Sequence, residues 1–423
     1  MKLICAPKDV RLATKTDALR VVLFGPPAPG DGSAGEALVQ EIRRKKLVPE
    51  PHAWDLLSLA LSVVSADLAV HRDRSPDGWT REFELQVAVR DPIFWNAHSK
   101  MLSAALEFLT TDRWTVAFVD GGWLPDPIRE PTLPEQDCVI LFSGGLDSLV
   151  GAIDLVSSVR RPFAVSQIVR GDAEKQKQFA ARLGGIRHIQ LNHNARVPDP
   201  EEPPTQRARS LTFLAYGVLI ATALQRYQKG ERISLYVCEN GFISINPPLT
   251  SARIGSLSTR TTHPAFLQSL QQLLDAAHLN IEIKNPYQHM TKGEMLVQCA
   301  DQALLKAEAA LSTSCGRFQR FGYRHCGRCV PCQVRRAAFV AWDVPDTTEY
   351  VYEDLGRDDE DHAGSDDVRS AAMAIAEVRL EGFDNWLGTT LSSGNLGDTA
   401  ALKDVVKRGL AEIEKLHLKY GVK

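Results

Sequence analysis

The sequence predicts an α/β fold built on a doubly wound parallel sheet, and three observations carry that prediction. Between about residues 137 and 345, short apolar runs alternate with helical stretches. That order gives a parallel sheet with helices on both faces. The first run, from Cys138, passes straight into Ser143-Gly144-Gly145-Leu146-Asp147-Ser148 and then into an apolar helix. A glycine-rich turn at a strand's C-terminal end is where open α/β sheets bind ligands. Near the end of the block Cys315, Cys326, Cys329 and Cys332 crowd into 18 positions, 315–332. An N-terminal α+β domain over 1–133 and a C-terminal helical extension over 366–423 flank the block.

The elements follow in chain order. Val21–Phe24 reads as a short strand and is followed by a Pro/Gly loop. That loop holds a formal G-x-G-x-x-G at Gly30, Gly32 and Gly35, but no βαβ unit follows, so it carries no dinucleotide reading. A helix is expected over about Pro51–Val64. A hairpin is expected over Leu68–Arg90, turning at Ser75–Gly78, its second arm placing Phe83, Leu85, Val87 and Val89 on one face. A helix over Phe94–Leu109 and a strand over Trp114–Val119 complete this part. Three prolines within Asp126–Gln136, with Pro125 just before them, mark a linker. The central strands are Cys138–Phe142, Phe163–Val169, His188–Leu191 and Ile233–Cys238, with helices at about Leu149–Ser157, Ala173–Leu183 and Arg209–Gln225. Glu353–Asp367 reads as a solvated acidic loop. Two helices, near Asp366–Trp386 and Asp398–Tyr420, close the chain, the last capped by Asp398.

Composition narrows the function classes. The chain has 423 residues, is 44% hydrophobic and 24% charged, and carries a net charge of −3. No basic footprint supports nucleic acid as the main partner. The apolar runs Leu56–Val70 and Leu211–Leu224 are too short or interrupted to span a membrane, and the first residues lack a signal-peptide pattern. A cytoplasmic protein is expected. Eight cysteines are too few for a disulfide scaffold of this size. Cys5, Cys138, Cys238 and Cys299 stand singly and read as small core residues.

The glycine-rich turn has the parts of an anion pocket. Glycines let the backbone approach phosphate oxygens, and the free N–H groups of a helix start point at them. Ser143 and Ser148 add hydroxyls, and Asp147 suits a bridging Mg²⁺ better than bare phosphate. This is not a Walker A loop, which needs a different spacing and a lysine. An ordinary strand–turn–helix junction is the plainer alternative. The pattern C-x10-C-x2-C-x2-C supplies four thiolates at knuckle spacing, which fits a closed tetrahedral Zn²⁺ site, with Arg328, Arg335 and Arg336 offsetting its charge. An iron–sulfur cluster is the rival ligand set.

Together these motifs resemble a known family. Ser143–Ser148 is similar to the SGGxDS loop of ATP pyrophosphatases, which cleave ATP between the α and β phosphates. With the knuckle and its following Arg335, residues 137–345 resemble QueC, the 7-cyano-7-deazaguanine synthases. The resemblance implies an ATP-pyrophosphatase-type (adenine nucleotide α hydrolase-like) sheet, with ATP, Mg²⁺ and Zn²⁺ as cofactors. Ser143, Gly144, Gly145, Leu146, Asp147 and Ser148 would hold the nucleotide. Thr291-Lys292-Gly293-Glu294 matches a further QueC-like segment and would place Lys292 toward phosphates or an acyl-adenylate; an exposed lysine at a helix start is its plain alternative. Arg209 stands where QueC has an arginine before its helix and either contacts nucleotide or flanks a buried helix.

The acceptor side departs from QueC. Glu239-Asn240-Gly241, then Arg260 and His263, replace the segments that shape the deazapurine pocket. Glu239 and Asn240 end a strand and suit Mg²⁺ or the acceptor, though Asn240-Gly241 is also a common turn dipeptide. Arg260 could hold pyrophosphate and His263 could handle a proton; locally bonded loop residues are the alternative. The whole chain is similar to the QueC-like QatC proteins of the four-component Qat anti-phage system. That implies a ligase that adenylates 7-carboxy-7-deazaguanine or a relative and passes it to a nitrogen acceptor, with a QatB-like protein as partner. A catalytically silent nucleotide-binding assembly subunit is the second hypothesis. RNA thiolation is the third.

Overall fold

The computed structural model describes residues 1–10, 18–201, 207–250, 260–357, 367–391 and 396–422. Ten strands among them form two five-stranded sheets, and every pairing within each sheet is parallel. The first sheet contains β1 (Lys2–Ala6), β2 (Leu19–Leu23), β3 (Gly32–Ala34), β4 (Glu82–Val89) and β5 (Arg113–Asp120), in the order β3-β2-β1-β4-β5. The second contains β6 (Cys138–Leu141), β7 (Pro162–Gln167), β8 (His188–Leu191), β9 (Ile233–Tyr236) and β10 (Ile281–Lys284), in the order β10-β9-β6-β7-β8. The expected parallel α/β sheet is present. The strand order reverses between β6 and β9, so that crevice is its topological switch point.

The N-terminal part differs from the expected α+β arrangement, because its strands too are parallel. There is no hairpin over Leu68–Arg90. The first arm is the tail of the helix Pro51–Ala69 and a 3-10 turn at Arg72–Arg74. The second arm is β4, with Phe83, Leu85, Val87 and Val89 buried as the alternation predicts. Its partners are β1 and β5. The helix runs past Val64 because its lower turns keep a partner: Asp67 and Asp112 bracket the fully buried Arg81 guanidinium at 2.5 and 2.8 Å. A buried charge is tolerated when paired in this way.

The two sheets meet edge to edge. Just after β8, Arg196 exchanges backbone hydrogen bonds with Ser33 of β3 at 2.8 and 2.9 Å. A Cβ on Gly32 would stand 2.8 Å from the Arg196 carbonyl oxygen, so this approach needs glycine. Gly32→Ala is expected to cost about 1–3 kcal/mol, read by equilibrium urea unfolding; a variant as stable as the parent would mean the junction does not contribute. One hydrophobic core runs through both parts. It includes Leu57 and Leu61 of the helix Pro51–Ala69, Leu214 and Val218 of the helix Arg209–Thr222, and strand residues Leu85 and Val139. A second core covers the other face of the β6 sheet.

The chain ends in the helices Asp367–Glu381, Phe383–Leu387 and Thr399–Lys419. Asp398 caps the last, accepting from the Ala401 amide at 3.0 Å. These helices form a third core with Phe242, Val330 and Val334. Most of the acidic stretch expected as a loop, 358–366, lies outside the described residues. No helix among the described residues is long and apolar enough to cross a membrane.

Candidate active site at the sheet switch point

β6 ends at Leu141, and the chain turns through Ser143, Gly144 and Gly145 into the helix Leu146–Ser157. Gly144 has φ +87°, a conformation that favours glycine. The turn is tied internally: Ser143 Oγ lies 3.1 Å from Ser148 Oγ and accepts from the Gly145 amide at 3.2 Å. It is also held from outside. The Thr313 amide donates to the Gly144 carbonyl at 3.0 Å, and buried Gln176 donates to the Ser143 carbonyl at 2.9 Å. Leu146 is buried in the core and also lines the site.

Four side chains converge beside this turn from three strand ends. Asp147 Oδ2 accepts from the Asn240 amide at 3.1 Å and from Asn240 Nδ2 at 2.7 Å. Asn240 Nδ2 also reaches Glu239 Oε1 at 3.0 Å. Lys292 donates to Asp147 Oδ1. Asp147 follows β6, Glu239 and Asn240 follow β9, and Lys292 follows β10, so the switch point brings them together. Asn240 has both roles the sequence left open: it caps the helix Gly241–Ile245 and contacts Asp147. Lys292 is buried, not an exposed lysine; its side chain is 7% accessible. Burial pushes the Asp147 carboxyl up, but the Lys292 ammonium and hydrogen bonds from its neighbours outweigh it and hold the group below the usual carboxylate range. Burial, then the Asp147 charge, push Glu239 well above its ordinary value. The Lys292 ammonium is thus paired with Asp147, while Glu239 lies beside the Asp147 carboxylate and is favoured in its protonated form.

A cavity of about 880 Å³ opens onto this cluster. Arg209 lines it from the first turn of its helix, near Asp172, and burial pushes its guanidinium down. Sequence reasoning missed Asp172 and Thr313, which also line the cavity, and Lys175 behind them. Thr313 Oγ1 donates to Asp172 at 2.7 Å, and Lys175 donates to Thr313 at 2.8 Å. Their positions just after β7 and just before Cys315 were the available signal.

Arg260 and His263 do not reach the cavity. Arg260 lies over the Phe108 ring at 4.8 Å. His263 is buried with its ring 5.0 Å from Phe108, and its Nδ1 accepts from the Ala265 amide at 3.2 Å as the cap of the helix Pro264–Ala276. That helix docks on Ser99–Thr110 in the N-terminal part, and neither residue joins the lining around the Ser143–Ser148 turn. Burial pushes His263 down to about 4, which leaves a neutral structural imidazole.

The four cysteines form one buried group whose sulfurs all lie within 4.8 Å of one another. Cys315 and Cys329 Sγ are 3.9 Å apart, as are Cys326 and Cys332. A tetrahedral ion with bonds of about 2.3 Å sets sulfurs about 3.8 Å apart. The residues therefore fit Zn²⁺, and the spacing is too tight to bracket a multi-iron cluster. The Arg317 and Cys326 amides donate to Cys315 Sγ at 3.3 and 3.4 Å, as thiolate acceptors require. Arg328, Arg335 and Arg336 do not face the sulfurs as the sequence suggested. They donate to backbone carbonyls and hydroxyls: Arg328 to Asp354, Arg335 to Ala309 and Thr348, Arg336 to Glu353. The knuckle also walls the cavity, through Cys315, Gly316, Arg317 and Phe318.

Comparison with known proteins gives one consistent result. Residues 261–343, which hold Lys292 and all four cysteines, match the family model described as "Queuosine biosynthesis protein QueC". A 7-cyano-7-deazaguanine synthase of Paracoccus denitrificans is 36% identical over 252 residues, covering 52% of this chain and 95% of that protein. The enzyme of the same name from Ectopseudomonas mendocina is 27% identical over 245 residues, covering 52% of this chain and all of the relative. That of Methanothrix thermoacetophila is 28% identical over 244 residues, covering 51% and 98%. About half of this chain therefore lies outside the similarity.

Proposed function

The chain belongs to the QueC family of 7-cyano-7-deazaguanine synthases, and from that premise we propose that it is an AMP-forming, ATP-dependent ligase acting on a deazaguanine-type carboxylate. The observation that carries the reading is the convergence of Asp147, Glu239, Asn240 and Lys292 beside the Ser143–Ser148 turn at the switch point, with Asp147, Glu239 and Lys292 in the wall of one cavity. The N–H groups of the turn and the Ser143 and Ser148 hydroxyls cradle the β and γ phosphates. Nucleotide phosphates compete with Asp147 for the Lys292 ammonium, which places the lysine's charge where the leaving group develops its own. The oxygen donors of Asp147 and Glu239 suit Mg²⁺, which would neutralise phosphate charge there.

A carboxylate oxygen of 7-carboxy-7-deazaguanine, or a relative, attacks the α-phosphorus. The bond to the β-phosphate's bridging oxygen breaks, giving an acyl-adenylate and pyrophosphate. A nitrogen nucleophile then attacks the acyl carbon, loses a proton, and expels AMP. The protein contributes positioning and charge compensation. The rebuilt segment after β9 motivates an acceptor other than ammonia: an amine on a partner protein. On the resemblance to QatC, that partner is the QatB-like component of an anti-phage system.

The test is to incubate the purified chain with Mg²⁺ and α-labelled ATP, with and without 7-carboxy-7-deazaguanine. AMP and pyrophosphate that rise with the carboxylate are expected. ATP that binds but is never cleaved, even with the neighbouring proteins added, would overturn the ligase reading in favour of an assembly subunit. The large share of the chain outside the similarity to QueC is the observation that keeps that second reading open.

A further inference from the structure

We propose that Glu412, on the C-terminal helix Thr399–Lys419, is a positioning residue that holds Lys292 at the phosphate turn. The inference rests on Lys292 facing nucleotide phosphates, as proposed above. Lys292 opens a helix of only seven residues, Lys292–Gln298. A helix that short cannot fix its own orientation and takes it from its neighbours.

Glu412 grips this helix on both sides of Lys292. Its Oε1 accepts the hydroxyl of Thr291, and its Oε2 accepts the Gly293 amide at 3.4 Å. A Cβ on Gly293 would stand 2.5 Å from Glu412 Oε1 and 2.7 Å from the Ala341 Cβ, so the fit is close. One turn earlier, Arg408 pairs with Glu294 and donates to the His289 carbonyl at 2.9 Å. The same helix also supports the other arm of the cluster. A Cβ on Gly409 would meet the Phe242 ring at 2.3 Å, and Phe242 lies two residues beyond Asn240. The helix thus seats both segments that deliver side chains to Asp147, although it lies beyond the residues that match the QueC family model.

A purely structural helix would give the same contacts less meaning, so the test separates the two. ATP affinity of the full chain is measured by titration calorimetry with Mg²⁺ present, alongside thermal unfolding. Glu412→Ala is expected to weaken ATP binding about tenfold. Glu412→Gln keeps an acceptor for Thr291 and is expected to fall between it and the parent; it also serves if the alanine variant fails to fold. Val406→Ala removes buried apolar volume from the same helix without touching Thr291 or Gly293. It is expected to lower the melting temperature while leaving ATP affinity within about twofold. Equal weakening in Glu412→Ala and Val406→Ala, or none in either Glu412 variant while Lys292→Ala weakens binding, would overturn the positioning role. A Lys292→Ala protein that binds ATP like the parent would instead remove the reading of Lys292 itself, and this inference with it.

Discussion

Asp147→Asn is expected to lower pyrophosphate release by at least about 10³-fold, the scale of removing a preorganised electrostatic group from a reaction centre. The substitution keeps the volume of the side chain but not its charge or its acceptor set. Asp147 Oδ2 accepts twice from Asn240, and Oδ1 accepts from Lys292. An amide in that place must turn its NH₂ toward either the Lys292 ammonium or the Asn240 donors, so one donor faces another. Breaking one side of a buried ion pair costs about 3–5 kcal/mol when nothing replaces it. Here Glu239 remains beside Lys292 as a second carboxyl group, so the fold is expected to survive with a melting temperature lowered by several degrees. Labelled-ATP turnover and far-UV circular dichroism on the same sample separate the two effects. A fully active Asp147→Asn protein would sink the mechanism. An unfolded one would show instead that Glu239 cannot stand in.

Asp147 could be picked out of the sequence because its chemistry is local. Six contiguous residues, the turn after a strand and the first turn of the next helix, define one motif, and four cysteines at knuckle spacing define the other. Their geometry follows from short-range chain constraints: the four cysteines cluster as expected, and the helix after the glycines begins at Leu146, three residues earlier than the sequence suggested. Arg260 and His263 illustrate the opposite case. Their destination depends on where the helix Pro264–Ala276 docks, and that is decided by Phe108 and its neighbours more than 150 positions earlier in the sequence. No local pattern encodes such a choice. The missing hairpin has the same origin. Ser75–Gly78 does contain turn residues, but β4 finds its partners in β1, some 80 residues back, and in β5. The apolar alternation of β4 was readable; the identity of its neighbours was not. Lys292 is likewise buried against Asp147, 145 positions earlier in the sequence, so a lysine beside a helix start looked as though it could be exposed.

Cys329→Ser is expected to have the largest effect on stability: loss of bound metal and a melting temperature lowered by about 10 °C or more, or failure to fold. Structural zinc sites in small domains contribute about 10–16 kcal/mol of apparent binding free energy, and a serine hydroxyl is a poor replacement for a thiolate near neutral pH. The consequences extend beyond the ion, because Cys329 is the cap residue of the helix Val330–Trp342. That helix contributes Ala338 and Phe339 to the core beneath the Ser143–Ser148 turn and Val330, Val334 and Ala337 to the C-terminal core. Its buried Arg335 binds the Ala309 carbonyl and Ser312, which lies next to the Thr313 that holds the turn. Releasing the knuckle therefore loosens the turn and the Cys315–Phe318 wall of the cavity together. Folding is lost before chemistry, and ATP affinity is expected to fall in step with metal content, not independently of it. Elemental analysis should find one zinc per parent chain and well under one in the variant, and a strong chelator should reproduce the variant's melting curve in the parent. A stable, folded Cys329→Ser protein retaining one zinc would contradict the four-cysteine site. Iron in place of zinc in the parent would revive the cluster reading, against the 3.9 Å spacing of its paired sulfurs.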